Sequence, residues 1–259
     1  MNEFEEDEKR QETEEETVKE FWGKRREIIE TDEAVKEGLE KLGVENVELT
    51  GLQEKFQKEI LTNLESMVEH YPEIEGYVSS VRSAKLPQGI MACSGPRYTE
   101  NGYAGAELQF NSEFFGKKGY GLEIVDMEME RNWRGETWLA GKGAEGVIAH
   151  EMGHVLALRL NAKHVGLSIG EVDKEKYRQL QVEYDRNYEI NGLCFGSLKE
   201  LSMNPNDLGR ELSTYGASDF GEAFAECISE CETRKKPRLY AQTVVNNYRK
   251  ILEKDEEVA

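Results

Sequence analysis

The chain has little of what marks secreted, membrane-spanning or nucleic-acid-binding proteins. Its 259 residues hold four cysteines, Cys93, Cys194, Cys227 and Cys231, with no C-x-x-C pair, which excludes a small disulfide-stapled scaffold. Cys227 and Cys231 fall four apart on a predicted helix and read as small buried apolar residues rather than as a redox pair or a second metal site. No apolar run approaches the length of a bilayer span. Basic residues are outnumbered, 33 Lys and Arg against 52 Asp and Glu, and the formal net charge of -19 repels a phosphate backbone, so nucleic acid is not an expected partner. The acidic N-terminus lacks the basic and apolar regions of a secretion signal. The chain as written reads as cytoplasmic, and action elsewhere would need something other than a secretion signal to carry it.

What is present is a heavily ionised chain, 38% hydrophobic and 33% charged, long enough to build a core without staples. Residues 1–16 are acid-rich and aperiodic, and read as a disordered tail. Residues 17–45 read as an N-terminal helical segment, with Val18, Phe21, Trp22, Ile28, Ile29, Val35, Leu39 and Leu42 on recurring faces and Gly43 as a C-cap. The main domain follows over 46–259. A helical stripe over 52–71 stops at Pro72. Short strands are expected at 77–82, 89–93 and 104–110, between Pro, Gly and Asn turn signals. In the last, Ala106, Leu108 and Phe110 alternate with Glu107, Gln109 and Asn111, as in a strand with one wet face. Further helices are expected at 144–160, 174–190, 219–232 and 238–253. This order predicts an α+β fold with segregated layers.

Histidine is scarce too, only four in all, yet two of them stand in "AHEMGHVLAL", residues 149–158. A helix turns about 100° per residue, so His150 and His154 share one face and Glu151 projects beside them. Zinc hydrolysis needs two neutral imidazoles, an open position for water and a carboxylate to take its proton. The competing reading is a pair of polar residues on an ordinary helix. His70 and His164 have no ligand-like neighbours and read as structural.

Catalytic zinc normally takes a third protein ligand. The extended H-E-x-x-H-x-x-G-x-x-H form is excluded, because Ala157 and Leu160 occupy its glycine and histidine positions and His164 falls outside its spacing. A carboxylate from another helix remains, and "STYGASDFGEAFAE", residues 213–226, offers Glu222 and Glu226 one turn apart. One can ligate while the other orients a histidine. Asp219 followed by Glu222 is also a helix-capping pattern, which explains Glu222 without metal.

Together, "HEMGH" and "STYGASDFGEAFAE" resemble the catalytic domain of anthrax toxin lethal factor and related metallopeptidases of phage and mobile elements. The resemblance implies a zincin-like domain over 46–259, with a small mixed sheet whose edge strand lies over the HExxH helix. It implies Zn2+ as cofactor, held by His150, His154 and Glu222, with Glu151 as general base and Tyr215 as oxyanion donor. Glu226 would hold a ligand histidine. The implied activity is endopeptidase cleavage of a peptide or protein substrate, with phage or mobile-element proteins as candidate partners. Ala106, Glu107, Leu108, Gln109 and Phe110 are then the candidate edge strand for an extended substrate, against the plainer reading of a polar edge that prevents aggregation. The stretch between the two motifs, residues 173–209, is longer than in lethal factor and is expected to add a helix and loop. The alternative function is a structural or adaptor protein on a zincin scaffold, latent or without peptidase activity.

Overall fold

The computed structural model describes residues 29–116, 119, 121–123, 125 and 137–258. The tail expected at 1–16, and the expected faces at Val18, Phe21, Trp22 and Ile28, lie outside the described residues.

The described chain is a mixed α+β fold. Helix α1 (Glu33–Lys41) starts at Asp32, whose carboxylate accepts the amides of Ala34 and Val35, and Gly43 just past its end takes φ +89°. Helix α2 (Glu54–His70) buries Phe56, Ile60, Leu64 and Met67 along one stripe. Phe56 stacks on Phe115 and meets Phe110 edge-on, which fixes α2 against the sheet. Val35 and Leu39 of α1 join the same core.

The sheet has four strands: β1 (Asn46–Glu48), β2 (Val78–Ala84), β3 (Ala92–Thr99) and β4 (Gly102–Asn111). Their order is β1-β2-β4-β3, with β1 and β4 each parallel to β2 and β3 antiparallel to β4. The expected alternation in β4 is present except at Asn111, which is buried. Ala106, Leu108 and Phe110 are fully buried, whereas Glu107 and Gln109 turn to the other face, where Arg82 grips Glu107 through two nitrogens. The expectation that residues 106–110 form an edge is corrected: β4 is paired on both sides, and β1 and β3 are the edges. Alternation reports which face is wet and carries no information on which side is paired. The strand expected at 89–93 lies further on, at Ala92–Thr99. It includes Pro96, which an edge strand tolerates because the missing amide would point away from the sheet.

Helix α3 (Gly143–Val165) carries the two histidines and is buried nearly all round, ending on Gly166 in the left-handed region. The expected helix over 174–190 is two helices, α4 (Lys174–Arg186) and α5 (Tyr188–Glu200), broken where Asn187 adopts φ +51°. Asparagine reaches that region at modest cost. Helix α6 (Phe220–Thr233) and helix α7 (Leu239–Val258) complete the fold. No helix among the described residues is long and apolar enough to cross a membrane.

Helices α3 and α6 cross on small residues. A methyl group at Gly153 would come within 2.7 Å of the Ala225 Cα, and Ser229 Oγ, one turn further along α6, donates to Gly146 O at 2.6 Å. Gly153 is thus the residue inside "HEMGH" that lets α6 approach. Replacing it should force the helices apart: Gly153→Ala is expected to cost about 1–3 kcal/mol, the usual penalty for overpacking. Urea unfolding checks this, with an unchanged midpoint as the contrary result.

Candidate metal centre

His150 and His154 leave α3 one turn apart and present both Nε2 atoms to the same point, 3.2 Å from each other. Glu222 comes from the first turn of α6. Its Oε2 stands 3.1 Å from His150 Nε2 and 3.4 Å from His154 Nε2. That oxygen is buried and makes no hydrogen bond of good angular geometry. Two atoms held about 2.0–2.1 Å from a tetrahedral ion stand about 3.3–3.4 Å apart, close to all three separations. A buried, unsatisfied carboxylate oxygen aimed between two imidazole nitrogens is the arrangement a metal ion completes, and the three side chains can hold one.

Glu226, one turn further along α6, works from behind. His150 Nδ1 donates to Glu226 Oε1 at 2.8 Å, which turns Nε2 toward Glu222 and His154. The other oxygen, Oε2, accepts the Ala140 amide and the Ser213 hydroxyl, the latter at 2.8 Å. Ser213 Oγ also accepts the Gly216 amide, tightening the turn that carries Tyr215. Both readings of the start of α6 hold at once: Asp219 caps the helix by accepting the Glu222 amide at 2.9 Å, while the Glu222 side chain faces the histidines.

The charges are mutually dependent. Burial opposes the imidazolium of His150, but the Glu222 and Glu226 carboxylates facing its two ring nitrogens, with the negative charge of Glu226 and Glu151, outweigh it and push its pKa up to about 10. Burial likewise opposes the Glu222 carboxylate, and the two imidazoles reverse this and hold it well below the usual carboxylate range.

Tyr215 sits across the site, its ring centroid 5.6 Å from that of His150. Backbone bonds from Thr214 and Tyr215 to the carbonyls of Thr137 and Trp138 fix its loop. Burial, reinforced by Glu222, Glu151 and Glu226, raises the phenol far above its ordinary value, so it remains a hydrogen-bond donor. Glu151 is buried beside the ligands and accepts a 2.8 Å hydrogen bond from Ser94 Oγ.

These groups line one cleft of about 630 Å³. Its walls are the stretch from Gly89 to Ser94, the Trp138–Leu139 segment, and Tyr184 to Asn187 with Asn191 from the inter-motif helices. The helix and loop expected from the longer inter-motif stretch are therefore two helices that form a wall of the site. Compared with known proteins, the chain matches no family model, no curated protein and no solved structure.

The structure brings His150, Glu151, His154, Tyr215, Glu222 and Glu226 together. Of the expected edge strand it brings none to the cleft: Ala106 to Phe110 lie one strand away, and β3 takes their place. His70 and His164 stay outside the cleft, against Glu232 at 2.6 Å and Glu189 at 3.8 Å. Cys227 is fully buried, and burial pushes the Cys231 thiol up to about 12. Sequence reasoning missed Ser94, Tyr184 and Trp138, which carry no local pattern, and Ser213, whose partner lies thirteen residues on.

A metal ion entering this site would have to displace the proton that the surrounding carboxylates keep on His150. That proton's stabilising contribution is complete below pH 6.5 and is lost as pH rises through about 10. Metal-free protein is therefore expected to lose stability across that interval, and metal uptake near neutrality to release about one proton. Calorimetry in buffers of different ionisation enthalpy reads the release; uptake without proton release contradicts it.

Proposed function

We propose that the protein is a zinc-dependent endopeptidase of the zincin type, with His150, His154 and Glu222 as metal ligands. The observation that carries this reading is the convergence of His150 Nε2, His154 Nε2 and Glu222 Oε2 within 3.1–3.4 Å of one another, beside a carboxylate and a protonated phenol. The likeness to lethal factor and related phage and mobile-element metallopeptidases rests on the same residues.

A zinc ion held there supplies Lewis acidity, lowering the pKa of water and polarising a peptide carbonyl. The chain does the rest. Glu151 accepts the proton of the attacking water and returns it to the departing amine. Tyr215 donates a hydrogen bond to the oxygen on which negative charge develops. Glu226 keeps the His150 ring in the tautomer that leaves Nε2 unprotonated. Ile90, Met91, Trp138 and Leu139 give the cleft an apolar flank for a side chain of the peptide or protein substrate.

One observation favours the second reading, a zincin scaffold that is latent or serves as an adaptor. The Asn111 amide donates to Met91 O, and this phase of the β3–β4 pairing turns the carbonyls of Ser94 and Pro96 away from the sheet. Tyr184 and Tyr177 of α4 already donate to them, at 3.4 and 3.0 Å. The free edge of β3 is thus partly taken by the chain's own inter-motif helix, which leaves less of it for an extended substrate.

Zinc content and cleavage of a peptide library separate the readings. Glu151→Gln should retain zinc and lose cleavage by about 10²–10⁴-fold. His154→Ala should lose zinc. Tyr215→Phe should retain zinc and lower kcat by about 10²-fold. Stoichiometric zinc with no cleavage of any peptide supports the scaffold reading, and a parent protein offered zinc that holds none overturns the endopeptidase reading.

A further inference from the structure

Ser94 occupies a position that sheet packing does not explain. On its face of β3, cross-strand partners share a side of the sheet, and the partners of Ala92, Ser94 and Pro96 are Phe110, Leu108 and Ala106. All three partners are fully buried and apolar. A hydroxyl among them is out of pattern, and its bond leaves the sheet altogether, running from Ser94 Oγ to Glu151 Oε2 on α3 at 2.8 Å. Glu151 Oε1 accepts no hydrogen bond from the described residues. The backbone at Ser94 is itself held, because the Tyr184 hydroxyl donates to the Ser94 carbonyl. Burial and the nearby Glu151 charge keep that phenol protonated.

We propose that Ser94 is the positioning residue of Glu151: it holds Oε2 and leaves Oε1 as the oxygen that takes and returns the proton. The inference rests on the reading of Glu151 as general base. A carboxylate on a flexible two-carbon stem samples several rotamers, and proton transfer needs it within hydrogen-bond reach of one point. The Ser94 bond selects one orientation and brings β3, the edge strand beside the cleft, into register with the ligand helix. Tyr184 then couples the inter-motif helix α4 to the base through Ser94.

Acetohydroxamate is a probe that needs no turnover, since it chelates the metal through its oxygens and places its hydroxyl proton against the neighbouring carboxylate. The full-length parent, Glu151→Gln, Ser94→Ala and Ser94→Thr are loaded with zinc, checked for equal zinc content and titrated with it. Ser94→Ala is expected to weaken binding about tenfold, the scale of one hydrogen bond to a charged group. Ser94→Thr should restore it, since threonine keeps the hydroxyl and suits a strand. With a cleavable peptide, Ser94→Ala should lower kcat and leave KM unchanged.

Two results overturn the inference while leaving the base intact: Ser94→Ala binding as tightly as the parent while Glu151→Gln is weakened, or Ser94→Thr as weak as Ser94→Ala. If Glu151→Gln binds as tightly as the parent, the base assignment itself fails and the role of Ser94 falls with it. A parent that takes up no zinc removes the proposed function and the inference together.

Discussion

The site depends on how closely α3 and α6 can approach. Gly153 lies against the Ala225 Cα, in a space that admits no methyl group, and this approach brings two glutamates from one helix to two histidines on the other. At that separation Glu222 reaches the Nε2 atoms while Glu226 reaches round to His150 Nδ1. Small residues at a crossing lose no side-chain entropy and let backbones pack tightly. The energetic burden lies in burying Glu226 and His150, and it is offset by the bonds that Glu226 accepts from Ala140, Ser213 and His150.

Legibility in the sequence followed the range of the interaction. His150, Glu151 and His154 were readable because helix periodicity alone places them together. The first turn of α6 was readable from Asp219, and the wet and dry faces of β4 from simple alternation. The residues by themselves left open which of Glu222 and Glu226 ligates, and only the resemblance to lethal factor named Glu222. Their spacing is the same from either point of view, and the crossing of α3 and α6 decides which one faces the shared point. The position of β4 within the sheet was unreadable for a similar reason, since partners on either side leave no mark on the strand's own pattern. β1 is only three residues long, too short for a period to show. The break at Asn187 hides inside a stretch of helical character, because a single left-handed residue leaves the apolar spacing on both sides intact.

Between the two motifs, α4 and α5 form one wall of the cleft that Trp138 and Leu139 also line. Tyr177 and Tyr184 tie α4 to the outer carbonyls of β3, and β3 in turn touches Glu151 through Ser94. The strand, the ligand helix and the inter-motif segment therefore meet at the proposed base. In the proposed peptidase, the α4–α5 wall and the apolar flank would meet the substrate, while α3 and α6 carry the proposed ligands.

The central claim is that two imidazoles and one carboxylate form a metal centre at the α3–α6 crossing. X-ray absorption at the zinc edge of the zinc-loaded full chain tests it most directly. The account predicts a shell of nitrogen and oxygen donors at about 2.0–2.1 Å, with the outer scattering of two imidazole rings and no sulfur. A sulfur shell at about 2.3 Å would place the ion at the cysteines, and would contradict the assignment of His150, His154 and Glu222.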